Sequence, residues 1–190
     1  VAAAGGNVAV CATLLRQGAN VNYKRPPPHC DTALMVAAVF GQHEVVEELL
    51  QTLMLADGVN DADAANSHSV VSVEEKDMSG RTALHLAVES GRLEVVRVLM
   101  RAGANVNTTN ASGLTPLHSA LQLDDVDMVK CLMVAKNVNV DDESGTGVSP
   151  LAMLRRQSTA SAKKWKAVFE TIRTKSSDGV SSQGSTNSLH

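Results

Sequence analysis

Between Gly80 and Asn107 the apolar positions fall into two short helical patterns, one closed by Gly91 and the other by Gly103. Thr82 stands before Ala83 and Leu84, where its hydroxyl suits the capping of the free amides at a helix start. Gly91 supplies the positive φ that ends this first helix. In the second helix Leu93, Val96, Leu99 and Met100 recur at spacings that put them on one face. Gly103 stops that helix, and Ala104 to Asn107 turns the chain outward.

The pattern returns at a fixed interval. Thr82-Ala83-Leu84-His85 recurs 33 residues later as Thr115-Pro116-Leu117-His118, where Pro116 has the fixed φ of a first helical position, and 34 residues after that as Ser149-Pro150-Leu151-Ala152. Upstream it is Thr32-Ala33-Leu34-Met35, at an interval of 50, which is one period plus 17 inserted residues. The closing turn recurs as Gly18-Ala19-Asn20-Val21-Asn22, Gly103-Ala104-Asn105-Val106-Asn107 and, one residue shorter, Lys136-Asn137-Val138-Asn139. Self-similarity at such a period marks an array of stacked supersecondary units. The units fall at about 1–22, 31–60, 77–107, 110–140 and 144–172, with an inserted acidic loop at 55–76 and a Ser-rich tail at 173–190 expected to be disordered.

On period, helix-start motif and turn motif together, the chain resembles an ankyrin-repeat domain from about Val1 to Ile172. The resemblance implies an all-α ankyrin-repeat solenoid of helix-turn-helix units with β-turn fingers, about four to five repeats, the first truncated. It implies a non-enzymatic scaffold or adaptor that holds a protein partner on its concave face and finger loops. The family's contact positions map onto Val39, Phe40, Arg81, Glu89, Ser90, Leu114, Gln122 and Leu123. Phe40, Leu114 and Leu123 are apolar where a monomer's surface favours polar residues, which suits a hot-spot core, with Arg81 and Glu89 setting register. The resemblance also makes His85 and His118 structural, bonded to neighbouring backbone, and makes Asn22 and Asn107 candidate substrates of an asparaginyl hydroxylase.

Composition narrows this. The 190 residues are 44% hydrophobic and 2% aromatic, so the core must be built of Leu, Val, Ala and Met. Cys11, Cys30 and Cys131 are odd in number and unrelated in spacing, which argues against a disulfide framework and for an intracellular, cytoplasmic or nuclear, setting. Cys11 aligns with Val96 and reads as packing. The longest apolar run, Ala33 to Phe40, has eight residues and cannot span a bilayer. Because Val1 opens on half a repeat, the sequence is expected to be a fragment of a longer chain, its domain monomeric.

No catalytic residue, cofactor site or metal site is expected. There is no phosphate-cradling loop, nucleophile elbow or paired-carboxylate arrangement. Asp57 to Asp63 lacks the ligand spacing of a calcium loop, and Lys24-Arg25-Pro26-Pro27-Pro28 reads as a stiffened finger before a polyproline ligand. Sequons at Asn107 and Asn110 would stay empty in a reducing compartment.

Charge is split along the chain. Residues 1–154 carry 10 basic and 18 acidic side chains, net −8, whereas 155–190 carry 7 basic and 2 acidic, net +5. The acidic body and scarcity of aromatics speak against nucleic acid. In the last helix, at 162–175, Trp165, Val168, Phe169 and Ile172 share a face and align with the core positions of earlier repeats, so it reads first as the cap that seals the stack. Its basic flanks leave a second reading, a regulatory module that binds calmodulin or an anionic membrane surface. Arg155-Arg156-Gln157-Ser158 resembles a basophilic kinase motif, and phosphate on Ser158 would then loosen the cap.

Overall fold

A computed structural model describes residues 1–56, 71–135, 137–140, 145, 147–153, 155, 165 and 168, with backbone alone for 52–56. The described residues are helices and turns, with no strand among them. The helices are α1 (Val8–Arg16), α2 (Ala33–Phe40), α3 (His43–Ala56), α4 (Ala83–Glu89), α5 (Leu93–Arg101), α6 (Pro116–Gln122) and α7 (Val126–Met133). Two parallel rows result. The inner row packs α2 on α4 on α6, and the outer row packs α1 on α3 on α5 on α7.

Local chemistry places each boundary. Thr32, Thr82 and Thr115 sit in extended backbone as N-caps, and the Thr32 hydroxyl accepts from the Met35 amide at 3.3 Å. Gly41 and Gly91 take φ of 78° and 67° after the inner helices. At Gly41 a Cβ would also lie 2.8 Å from the Arg92 side chain, which would have to shift to admit it. The corresponding residue of the next repeat is Asp124, which adopts φ 55° itself. Asp is among the few residues with a side chain short and polar enough to tolerate that region.

The inner helices are short and rich in alanine, so they approach closely and bury nearly everything. Ala83 to Val88 are all buried, as are Pro116 to Leu121. The outer helices are amphipathic: α5 buries Val95, Val96, Val98 and Leu99 and leaves Glu94 and Arg97 in water. The resulting core is one continuous cluster of Leu, Val, Ala, Met and Cys, with Trp165, from Ala3 to Val168. Each fully buried Leu or Val adds roughly 1.5–3 kcal/mol before chain entropy is subtracted, so the stack is held by many similar contacts and by no single one.

The stretch 55–76, expected as one inserted loop, divides unevenly. Leu55 and Ala56 continue the helix, 57–70 lie outside the described residues, and 71–76 form a finger. Val71 is buried to 2% exposure, as Val21 and Val106 are to 4% and 3%. It therefore fills the apolar position of the closing turn. Beyond α7, Pro150 to Met153 are helical, and helical Trp165 and Val168 are buried at 0% and 2%. The Trp165 indole N–H donates to Asp124 Oδ1 at 3.0 Å, tying the last described segment to the end of α6.

Candidate partner-binding groove

Two successive fingers are each braced by an Asx turn. Asp77 Oδ1 accepts the amides of Ser79 and Arg81 at 2.9 and 2.8 Å, and Asn110 Oδ1 accepts those of Ser112 and Leu114 at 2.9 and 3.0 Å. Neighbouring fingers are then laced together. Lys24 Nζ bonds Glu75 at 2.6 Å and the Lys76 carbonyl at 3.0 Å, and Lys76 Nζ reaches the Thr109 carbonyl at 2.8 Å. Glu74 accepts from the Asn105 amide at 2.7 Å and the Thr108 hydroxyl at 3.0 Å. The edge is thus a semi-rigid rail rather than a set of independent loops.

The buried histidines fasten this rail to the inner helices. His85 Nδ1 faces the Thr82 amide and hydroxyl at 3.3 and 3.0 Å, while Nε2 lies 3.1 Å from the Leu114 carbonyl of the next finger. His118 repeats the arrangement with Thr115 and the Val148 carbonyl, the latter at 3.0 Å. A neutral ring carrying its proton on Nε2 satisfies every one of these partners. Burial depresses both imidazoles below their ordinary 6.5, against the opposing pull of the carbonyl bonds. Burial likewise raises the Cys11 and Cys131 thiols, so neither is a thiolate at neutral pH. Among the described residues no three His, Cys, Asp or Glu side chains are grouped to hold a metal ion.

The C-terminal ends of α2, α4 and α6 line up beside the rail. They present Val39 and Phe40, Glu89 and Ser90, and Gln122 and Leu123 at matching repeat positions. Phe40 and Leu123 are 56% and 53% exposed. Val39 is half-buried against the core, and its carbonyl accepts from Arg92 Nε at 3.1 Å. Leu114 is half-buried, its carbonyl taken by His85. Arg81 is held between two carboxylates, Asp77 at 2.8 Å and Glu89 at 3.1 Å. With adjacent helices about 8–10 Å apart, Phe40 and Leu123 stand roughly 16–20 Å from each other, with the Arg81–Glu89 pair between them.

A model of the family described as ankyrin repeats (3 copies) matches residues 1–110 and 53–144. The chain belongs to the ankyrin-repeat family. It is also similar to the ankyrin repeat protein FPV031 of Fowlpox virus (strain NVSL), 33% identical over 142 residues that make up 73% of this chain and 37% of that protein. The chain therefore spans little more than a third of that relative's length. Ankyrin repeats generally mediate protein–protein interaction, and the family is generally non-enzymatic.

Several features of this ankyrin surface carry no obvious sequence signal. Met78 and Tyr23 in the finger segments are large apolar side chains left 65% and 61% exposed. Gln42 Nε2 donates to the Ala4 carbonyl at 3.2 Å, as Arg92 does to Val39, so the residue after the glycine stop reaches back one repeat in both cases. That recurrence after glycine was the available clue. Asn22 and Asn107 are half-buried and used by the next finger: Asn22 Oδ1 accepts from Ser72 at 2.8 Å. Asn107 gives its Nδ2 to the Asn137 carbonyl at 2.6 Å and accepts the Asn139 amide at 2.8 Å. Ser158 lies outside the described residues, as does most of the 162–175 segment. Among the described residues no helix is long and apolar enough to cross a membrane.

Proposed function

We propose that this ankyrin domain is a monomeric, intracellular adaptor that grips an elongated segment of a partner protein along the groove between the finger rail and the inner helix ends. The observation that carries the reading is the pair of exposed apolar side chains at one repeat position, Phe40 and Leu123, flanking the polar Arg81–Glu89 pair. A segment with apolar anchors at both ends and a polar middle matches that spacing. Arg81 is held in place by Asp77, so its guanidinium offers a fixed fork rather than a mobile charge. Three free cysteines, Cys11, Cys30 and Cys131, support a reducing compartment.

Capture by a photoreactive residue at Leu123 tests this, compared between the parent and a Phe40→Ser variant. Phe40→Ser should abolish cross-linking to the partner while moving stability by no more than about 0.5 kcal/mol, the usual range for a surface change. Unchanged cross-linking would remove Phe40 from the site. In this reading the basic last segment is a cap, because Trp165 and Val168 are buried and a calmodulin or vesicle target would have to give up both contacts. Hydroxylation of Asn22 or Asn107 would need the finger ladder to open first. Mass spectrometry of protein from cells, with no added oxygen on either peptide, would dispose of it.

A further inference from the structure

A cavity of about 660 Å³ opens between the C-terminal ends of the outer helices α5 and α7 and involves none of the groove residues. Its origin is readable in the chain. The turn after α5 runs Gly103-Ala104-Asn105-Val106-Asn107, and the turn after α7 is one residue shorter, Lys136-Asn137-Val138-Asn139. Ala104 and Val106 are buried at 8% and 3% exposure, and the shorter turn has no counterpart for Ala104. The Asn107 side chain locks the two turns together, 2.6 Å to the Asn137 carbonyl and 2.8 Å to the Asn139 amide, so the shorter one cannot slide to fill the gap.

The volume falls within the roughly 300–1,000 Å³ of small-molecule sites. Met100, Val106, Cys131 and Ala135 give it apolar walls, with the Cys131 thiol kept neutral by burial. No Asp or Glu is among the described residues lining it. Arg97 and Arg101 do line it, with side chains 52% and 71% exposed. Their ionic contacts are long, Arg97 to Glu94 at 3.6 Å and Arg101 to Glu47 at 3.8 Å. Exposed pairs of that length contribute under about 1 kcal/mol, so both guanidiniums remain open to a better acceptor. The negative ends of the α5 and α7 dipoles disfavour an anion in the interior, so its attraction to the rim comes from the two arginines.

We propose that this cavity binds an aliphatic carboxylate, its hydrocarbon chain against Met100, Val106, Cys131 and Ala135 and its carboxylate held by Arg97 and Arg101. Planar guanidinium forks match carboxylate geometry, and two of them one helical turn apart give the site its sign preference.

Sodium decanoate, below its micelle-forming concentration, is the probe. Titrated into the whole 190-residue chain and followed by amide NMR, it should give saturable shifts centred on Ala104, Val106, Val134 and Ala135. Arg97→Gln with Arg101→Gln should weaken binding by about tenfold or more, the loss of a charge-assisted pair. Decyltrimethylammonium, with the same chain and opposite charge, should not compete. One alanine inserted between Lys136 and Asn137 restores the turn length and should abolish binding. If that variant does not fold, Ala135→Leu fills the cavity from its own wall and makes the same comparison. Shifts that never saturate, equal affinity for the cationic probe, or binding that survives in a folded, filled variant would each overturn the site.

Discussion

Replacing Asp124 with glycine restores the residue found at this position in the two preceding repeats, Gly41 and Gly91, yet the structure predicts that it destabilises the protein. The backbone argument favours the change. Asp124 sits at φ 55°, where an L side chain costs roughly 1–2 kcal/mol, less for Asp than for most. Glycine returns roughly 0.5–1 kcal/mol of that as extra entropy of the unfolded chain. The net gain is about 1 kcal/mol at most. Against it stands the Asp124 carboxylate, which accepts the indole N–H of Trp165 at 3.0 Å. Trp165 is 0% exposed while Asp124, itself a surface residue, covers its N–H, so the change trades a charged acceptor for water at best. A hydrogen bond to a charged group contributes about 1.5–3 kcal/mol, and Asp124→Gly should therefore lose about 1–2 kcal/mol overall. Urea titration followed by far-ultraviolet circular dichroism measures this in two backgrounds. With Trp165 intact the midpoint should fall. In Trp165→Phe, which keeps an aromatic ring in the site but has no N–H, the same change should raise it, giving a coupling of about 1.5–3 kcal/mol in the double-mutant cycle. A higher midpoint for Asp124→Gly in the parent, or a coupling near zero, refutes the reasoning.

Three further outcomes follow from the same geometry. Because burial holds His85 and His118 below 6.5, the unfolded chain binds protons first as pH falls; stability is fully present above about 6.5 and declines below it. The urea midpoint should drop between neutral and mildly acid pH, and a flat midpoint through that window would show that the rings do not resist protonation. Gly80→Ala should cost more than Gly91→Ala: both sites have positive φ, but a Cβ at Gly80 lies 2.7 Å from the Ala111 amide nitrogen, whereas nothing lies within 4 Å at Gly91. Equal losses of about 1–2 kcal/mol in denaturation would mean that only the shared φ strain matters. Asn107→Ala should cost about 1–3 kcal/mol, two hydrogen bonds at about 0.5–1.5 each, and speed amide exchange at Asn139. Unaltered exchange there would show that the finger ladder does not depend on it.

The repeat, its helix boundaries and most of its core are local properties and were legible in the residues. Thr before an apolar run, glycine after it, and Leu or Val at helical spacing act over a few residues, and the array multiplies that signal. Phe40 and Leu123 could be picked out for the same reason, since a repeat position that is small or polar elsewhere and apolar here stands out along the chain. The side-chain partners across repeats were not legible in this way. Even within one repeat, Arg81 and Glu89 read in the sequence as register-setting charges for a partner, and only packing shows Arg81 clamped by Asp77 and Glu89. The finger segment 71–76 reads as part of a polar insertion, because Glu74, Glu75 and Lys76 are charged; their partners Asn105, Lys24 and Thr109 are 31, 51 and 33 residues away.

Chain order therefore determined which stretches became helices and which face of each was apolar, because those choices rest on contacts within a turn or two of helix. Tertiary structure decided what the exceptions mean. Asp124 in place of glycine looks like a tolerated defect until Trp165, 41 residues on, supplies a donor for its carboxylate. A turn one residue short looks like drift until the locked Asn107 ladder turns the missing alanine into a cavity beside two arginines. In both places the deciding partner comes from another repeat, and pairings between repeats are set by how the stack closes rather than by any local pattern.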